Sequence, residues 1–114
     1  MDVTLVVDLI TGGAPAWPRI ETDSHLMVVG SSRPLEDAWR ISQVGMVMWL
    51  GELYGLDKLD AYQLLSQTSE APLANVVDAN YSAVTKVAKA FLPRADAYRG
   101  MHRQLREVAA AISR

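Results

Sequence analysis

Between residues 17 and 38 the chain reads Trp-Pro-Arg-Ile-Glu-Thr-Asp-Ser-His-Leu-Met-Val-Val-Gly-Ser-Ser-Arg-Pro-Leu-Glu-Asp-Ala. Few local structures fit that order. Pro15 and Pro18 force extended or turn geometry around Trp17. His25 to Val29 then forms a strand, with His25, Met27 and Val29 on one face. Gly30-Ser31-Ser32 gives it a tight exit. Pro34 suits the first position of a helix, and Glu36 and Asp37 suit its first turn, near the positive end of the helix dipole. The result is a strand, a turn and a helix, with a lone histidine at the head of the strand.

The rest of the chain extends this pattern. Residues 3–10 alternate, with Val3, Leu5, Val7 and Leu9 on one side, and predict a strand rich in β-branched residues. Gly12-Gly13-Ala14-Pro15 punctuates it. The stretch Val44–Leu50 is apolar except for Gly45, which predicts a second helical half buried nearly all round and a close approach at the glycine. Gly55 reads as the left-handed stop of that helix. Asp57 caps the next helix, with Asp60 three residues on. Residues 73–78 and 82–91 read as two more strands, turning at Asp78-Ala79-Asn80. Asp96 to Arg114 reads as a C-terminal helix with Met101, Leu105, Val108 and Ile112 in its stripe. The order β-β-α-α-β-β-α predicts an α+β fold: an antiparallel-rich sheet with helices packed on one face, in one domain over 1–114.

Bulk properties exclude several classes. At 114 residues with 50% hydrophobic content, the chain is long enough to bury a core without staples. The net charge of −2 argues against nucleic-acid binding, which wants a basic face. Without cysteine, neither a disulfide framework nor a thiolate metal site can form. Asp2 and Asp8 stand where a signal peptide would be positive. No apolar run reaches the roughly 20 residues of a membrane span. The compartment expected by default is the cytoplasm.

Two features are candidates for chemistry. His25 shares a face with Met27 and Val29, and Glu21 and Asp23 precede it; a carboxylate near an imidazole fixes its tautomer and raises its basicity. The competing reading is a half-buried strand histidine satisfied by a backbone carbonyl. Glu36, or Arg33, is placed to point back across the strand–helix junction toward a site shared with His25. The simpler reading is that Glu36 and Asp37 only stabilise the helix start, by roughly 0.3–1 kcal/mol each. His102 falls on the charged, solvated side of the last helix. Ser31 and Ser32 have no assigned base, and Gly12-Gly13 is too short for a phosphate loop. One histidine with scattered carboxylates cannot close a zinc site by itself. Lys86 and Lys89 read as guards of an edge strand.

These residues also carry a family resemblance. The stretch from Trp17 to Ala38, Trp39-Arg40-Ile41, Trp49-Leu50, Tyr54-Gly55-Leu56, Asp60-Ala61-Tyr62, Asn75-Val76-Val77-Asp78-Ala79-Asn80-Tyr81 and Lys86-Val87-Ala88-Lys89-Ala90-Phe91-Leu92-Pro93 together resemble the C-terminal third of the acetamidase/formamidase family. Val3 to Ile10 resembles the family's strand into its Trp-Pro-Arg turn. The likeness covers residues 3 to 93; the final helix has no counterpart. Ala88 stands where the family often has proline. The resemblance implies a part of a layered β/β/α sandwich and hydrolysis of small linear amides, formamide or acetamide, with a divalent metal, zinc or calcium, activating water. The family's metal segment lies just before the strand at Val3, so its ligands are expected mostly outside this chain. His25 would then be a polar wall or acid–base residue and Glu36 its partner. The implied partner is a second copy or an N-terminal amidase subunit. The alternative is a non-catalytic assembly domain derived from that family.

Overall fold

The computed structural model describes residues 1–113, which divide into two compact units, Pro15–Ala95 and Met1–Ala14 with the segment from Asp96 onward. The larger unit holds a five-stranded antiparallel sheet of β1 (Arg19–Glu21), β2 (His25–Ser32), β3 (Ser69–Glu70), β4 (Leu73–Asn75) and β5 (Tyr81–Ala88). β2 and β5 lie side by side over their full length, from His25 opposite Ala88 to Ser32 opposite Tyr81. β1 extends the sheet beyond β2, and β3 and β4 share the far side of β5. Helices α1 (Leu35–Tyr54) and α2 (Lys58–Thr68) cover one face. The α+β architecture with helices on one face of an antiparallel sheet is therefore as the sequence predicts.

Register explains which face is covered. Leu26, Val28 and Gly30 of β2 and Ala83, Thr85 and Val87 of β5 are buried, and they alternate with half-exposed neighbours. Strand side chains point alternately to the two faces, so these six share one side. Val84 is the exception on the other face, at 8% exposure. On the covered face α1 comes unusually close. A Cβ on Gly30 would collide with the Ala38 carbonyl and lie 2.7 Å from the Ser42 nitrogen. A Cβ on Gly45 would lie 2.7 Å from Cγ1 of Val28. The two glycines thus face opposite ways across one contact, one receiving helix backbone and the other a strand side chain.

A hydrogen-bonded pair sits inside that contact. Ser42 and Thr85 are fully buried, with their hydroxyls 2.7 Å apart. The Ser42 hydroxyl donates to the Trp39 carbonyl at 2.7 Å. Its single proton is thereby used, so Thr85 donates to Ser42. Helix ends follow the sequence closely. Gly55 takes φ 68° and its N–H bonds to the Gly51 carbonyl; the Asp57 side chain accepts from the Asp60 N–H at 2.9 Å.

Four expectations need correction. Val3–Ile10 is not a strand; Leu5, Val7 and Leu9 are each more than four-fifths exposed, because nothing in their own unit offers a ladder. The first strand is instead Arg19–Glu21. The second half of α1 is buried on one side only: Met46, Trp49 and Leu50 face inward while Val44 and Met48 are exposed, since only one helix face meets the sheet. The C-terminal helix starts later than expected, as α3 (Met101–Ile112), after a 3₁₀ turn over Ala97–Gly100 in which Tyr98 and Arg99 have positive φ. In that smaller unit α3 buries no residue, and Thr4, Leu5 and Val6 line a groove of about 300 Å³ with His102, Leu105 and Ile112. His102 is accordingly half-buried rather than solvated. No helix among the described residues is long and apolar enough to cross a membrane.

Arg19 pins β1 to α1. Its guanidinium donates to both carboxylate oxygens of Glu52, at 2.7 and 2.9 Å, and lies 5.1 Å from the centre of the buried Trp49 ring. Hydrogen bonding from Arg19 holds the Glu52 carboxyl below its ordinary value of 4.5; burial opposes this and the guanidinium charge adds to it. Glu52 thus binds a proton less readily folded than unfolded. Its stabilising contribution is complete above pH 4.5 and fades as pH falls through the lower folded value. Acid titration of stability in wild type and Glu52→Gln checks this: the two curves should converge below that range, and parallel curves would refute it. Removing the Ser42 hydroxyl strands a buried donor on Thr85. Ser42→Ala should therefore cost about 1–3 kcal/mol in chemical denaturation, and Ser42→Ala with Thr85→Val should recover most of it.

Candidate active site

His25 opens β2 on the sheet face opposite the helices, together with Met27, Val29 and Ser31. The turn before it is closed by Thr22, whose hydroxyl accepts from the His25 N–H at 3.0 Å and whose own N–H donates to the His25 carbonyl at 2.9 Å. This backbone clamp is set by the Thr-Asp-Ser-His order, with Thr closing a tight turn through its side chain. The imidazole is 22% exposed. Its Nδ1 lies 2.7 Å from the Ser24 hydroxyl, and its Nε2 lies 3.9 Å from Oε1 of Glu70. His25 is thus bracketed by side chains, not satisfied by a backbone carbonyl.

The sequence offers Glu21 and Asp23 as carboxylates just before the ring. Register turns Glu21 to the helix face, opposite Leu26, where its carboxylate pairs with Lys89 at 2.8 Å. The pair with Glu21 also gives Lys89 a role other than guarding an edge. Burial, with the Glu21 charge adding, raises the Tyr54 hydroxyl above its ordinary value, so it stays protonated and donates to the Pro93 carbonyl at 3.0 Å. The carboxylate that does approach His25 belongs to Glu70. It was missed because β3 is only two residues long and follows α2 without a turn signal. The sole hint is the Thr-Ser-Glu run just before Ala71-Pro72.

Glu36 is not brought to His25. β2 separates them: its eight residues span about 23 Å at the rise of a strand. They also differ in face. The Glu36 side chain is 77% exposed, with Oε2 3.5 Å from Arg40, whose Nη1 lies 3.1 Å from Asp37. Glu36 borders a groove of about 480 Å³ with Leu35, Trp39, Leu73 and Ala83 on the helix side of the sheet. Arg33 does not reach back either. It donates to the Ala79 carbonyl and the Tyr81 hydroxyl and stacks 5.0 Å from the Tyr81 ring centre. A strand–helix junction cannot unite residues at opposite ends of the strand. Among the described residues, no three His, Asp or Glu side chains converge as a metal site would require.

No protein-family model and no curated protein matches the chain. Solved structures do. The chain is 40% identical to the acetamidase of Yersinia enterocolitica, with a TM-score of 0.67 over 69% of this chain. It is 24% identical to an acetamidase from Bacillus halodurans, with a TM-score of 0.61 over 65% of this chain, a likeness that concerns the fold alone. The chain spans about a quarter of each of those proteins, 24% and 25% of their lengths. Over its matched part, this chain therefore has the fold of the acetamidase/formamidase family.

Proposed function

We propose that this chain is the C-terminal domain or subunit of an amide hydrolase acting on small linear amides of the formamide or acetamide type. The supporting observation is the 40% identity with a solved acetamidase over 69% of the chain. In such a reaction the oxygen of water adds to the amide carbonyl carbon and the C–N bond breaks. The departing nitrogen takes a proton and leaves as ammonia. His25 is suited to hold and pass that proton, since an imidazole carries a donor and an acceptor nitrogen on one ring. Glu36 has no place in that step and serves the helix start and the Arg40 pair. The resemblance also implies a divalent ion, zinc or calcium; among the described residues no group of three His, Asp or Glu side chains fits one. Its ligands would lie mostly outside this chain, and none of the steps given to His25 passes through it.

The proposed partner is an N-terminal amidase subunit or a second copy of the chain. Support comes from Val3–Ile10, an apolar, β-prone segment that is exposed and forms no strand of its own; such a segment can pair with a strand edge supplied by another chain. Sedimentation should then show a dimer or a heavier complex, and a clean monomer at high concentration would refute this.

Two activity measurements test the enzymatic reading. The purified chain should release no ammonia from formamide or acetamide. Release abolished by a chelator would mean that the chain holds its own metal site. In the complete assembly, His25→Asn should lower turnover by roughly a hundredfold or more with stability nearly kept. Full turnover in that variant removes His25 from the chemistry and leaves the assembly-domain reading.

A further inference from the structure

His25 and Glu70 lie on strands that flank β5 on either side and are offset by two positions along it; the flanking strands are about 9–10 Å apart. Their side chains meet over β5. By register both project from the open face: His25 pairs with Ala88, and Glu70 pairs with Lys86. Ala88, directly beside His25, contributes only a methyl group, which leaves room for the ring and the carboxylate to come within 3.9 Å. That is ion-pair distance rather than a direct hydrogen bond. On the other side of the ring, Ser24 holds Nδ1 at 2.7 Å. A neutral imidazole has one donor and one acceptor nitrogen. With Nε2–H facing the carboxylate, Nδ1 accepts from the Ser24 hydroxyl, and every polar group of the set has a consistent role.

We propose that Glu70 is a positioning residue for His25: with Ser24 it fixes the orientation of the ring on the open sheet face. This rests on the amide-hydrolase reading for its use in turnover, but not for its geometry. Across the β3–β5 pair Glu70 stands opposite Lys86. Glu70 is 64% exposed, so its replacement leaves the core intact.

Two measurements test this. In the purified full chain, nuclear Overhauser contacts from the His25 ring to the Glu70 methylenes should be strong and should define one ring orientation. In Glu70→Gln the ring should sample several orientations while the backbone signals of β2 and β5 stay in place. An unchanged ring in Glu70→Gln overturns the proposal. In the complete assembly, Glu70→Gln should lower kcat roughly tenfold with KM kept, and should cost nothing further in a His25→Asn background. An equal loss in both backgrounds also overturns it, because Glu70 would then act independently of His25. If the assembly hydrolyses no amide at all, the amide-hydrolase reading fails alone, and the ring measurement still decides the role of Glu70.

Discussion

The close approach of α1 to β2 is the constraint on which the larger unit depends. Helix backbone lies where any side chain on Gly30 would have to be, and Val28 fills the space that Gly45 leaves. At ordinary helix–sheet spacing, Ser42 and Thr85 would not reach one another across the layer. At this spacing they form a buried hydroxyl pair, and Met46, Trp49 and Leu50 close over the sheet with almost no exposure. Interiors are packed as densely as organic crystals, so one added methyl at Gly30 could be accommodated only by moving the whole helix.

The margin of this core is held by charged side chains. Arg19 is 9% exposed and joins a short edge strand to α1 by a two-pronged carboxylate contact and by stacking on Trp49. Isolated surface ion pairs contribute little; here the guanidinium stem also covers an indole that would otherwise face water. Lys89 and Glu21 tie the end of β5 to β1 in a similar manner. These contacts leave one sheet face covered by helices over β2 and β5 and the other without a helix. The open face carries His25, Met27, Val29, Lys86 and Glu70, a mixture of apolar surface and ionisable groups.

The two faces also explain why the pairing of His25 with Glu36 fails while that of His25 with Glu70 holds. Glu36 is near His25 in sequence but lies at the far end of an eight-residue strand and on its other side. Glu70 is 45 residues away in the chain, yet an antiparallel sheet returns it to within 3.9 Å. Proximity along a strand separates side chains, whereas proximity across strands joins them.

Local signals by themselves determined much of this protein. The Pro34 start with its acidic first turn, the Gly55 stop and the Asp57 cap each rest on one residue's backbone preference, and each is found. The alternation from His25 marks β2, although the strand runs on through Gly30-Ser31-Ser32, which read as a tight exit, and the spacing of apolar residues marks the helices, although α3 begins only at Met101. Tertiary structure decided the rest. Val3–Ile10 has every local mark of a strand, but a strand needs a ladder partner and its own unit supplies none. Val44 and Met48 are apolar but exposed, because α1 meets the sheet along one side only. β3 was invisible because two residues carry no periodicity; only its pairing with β5 makes it a strand and brings Glu70 to the histidine. Whether a carboxylate serves a ring depends on strand order and register, which arise from the packing of distant segments and not from any residue's own preference.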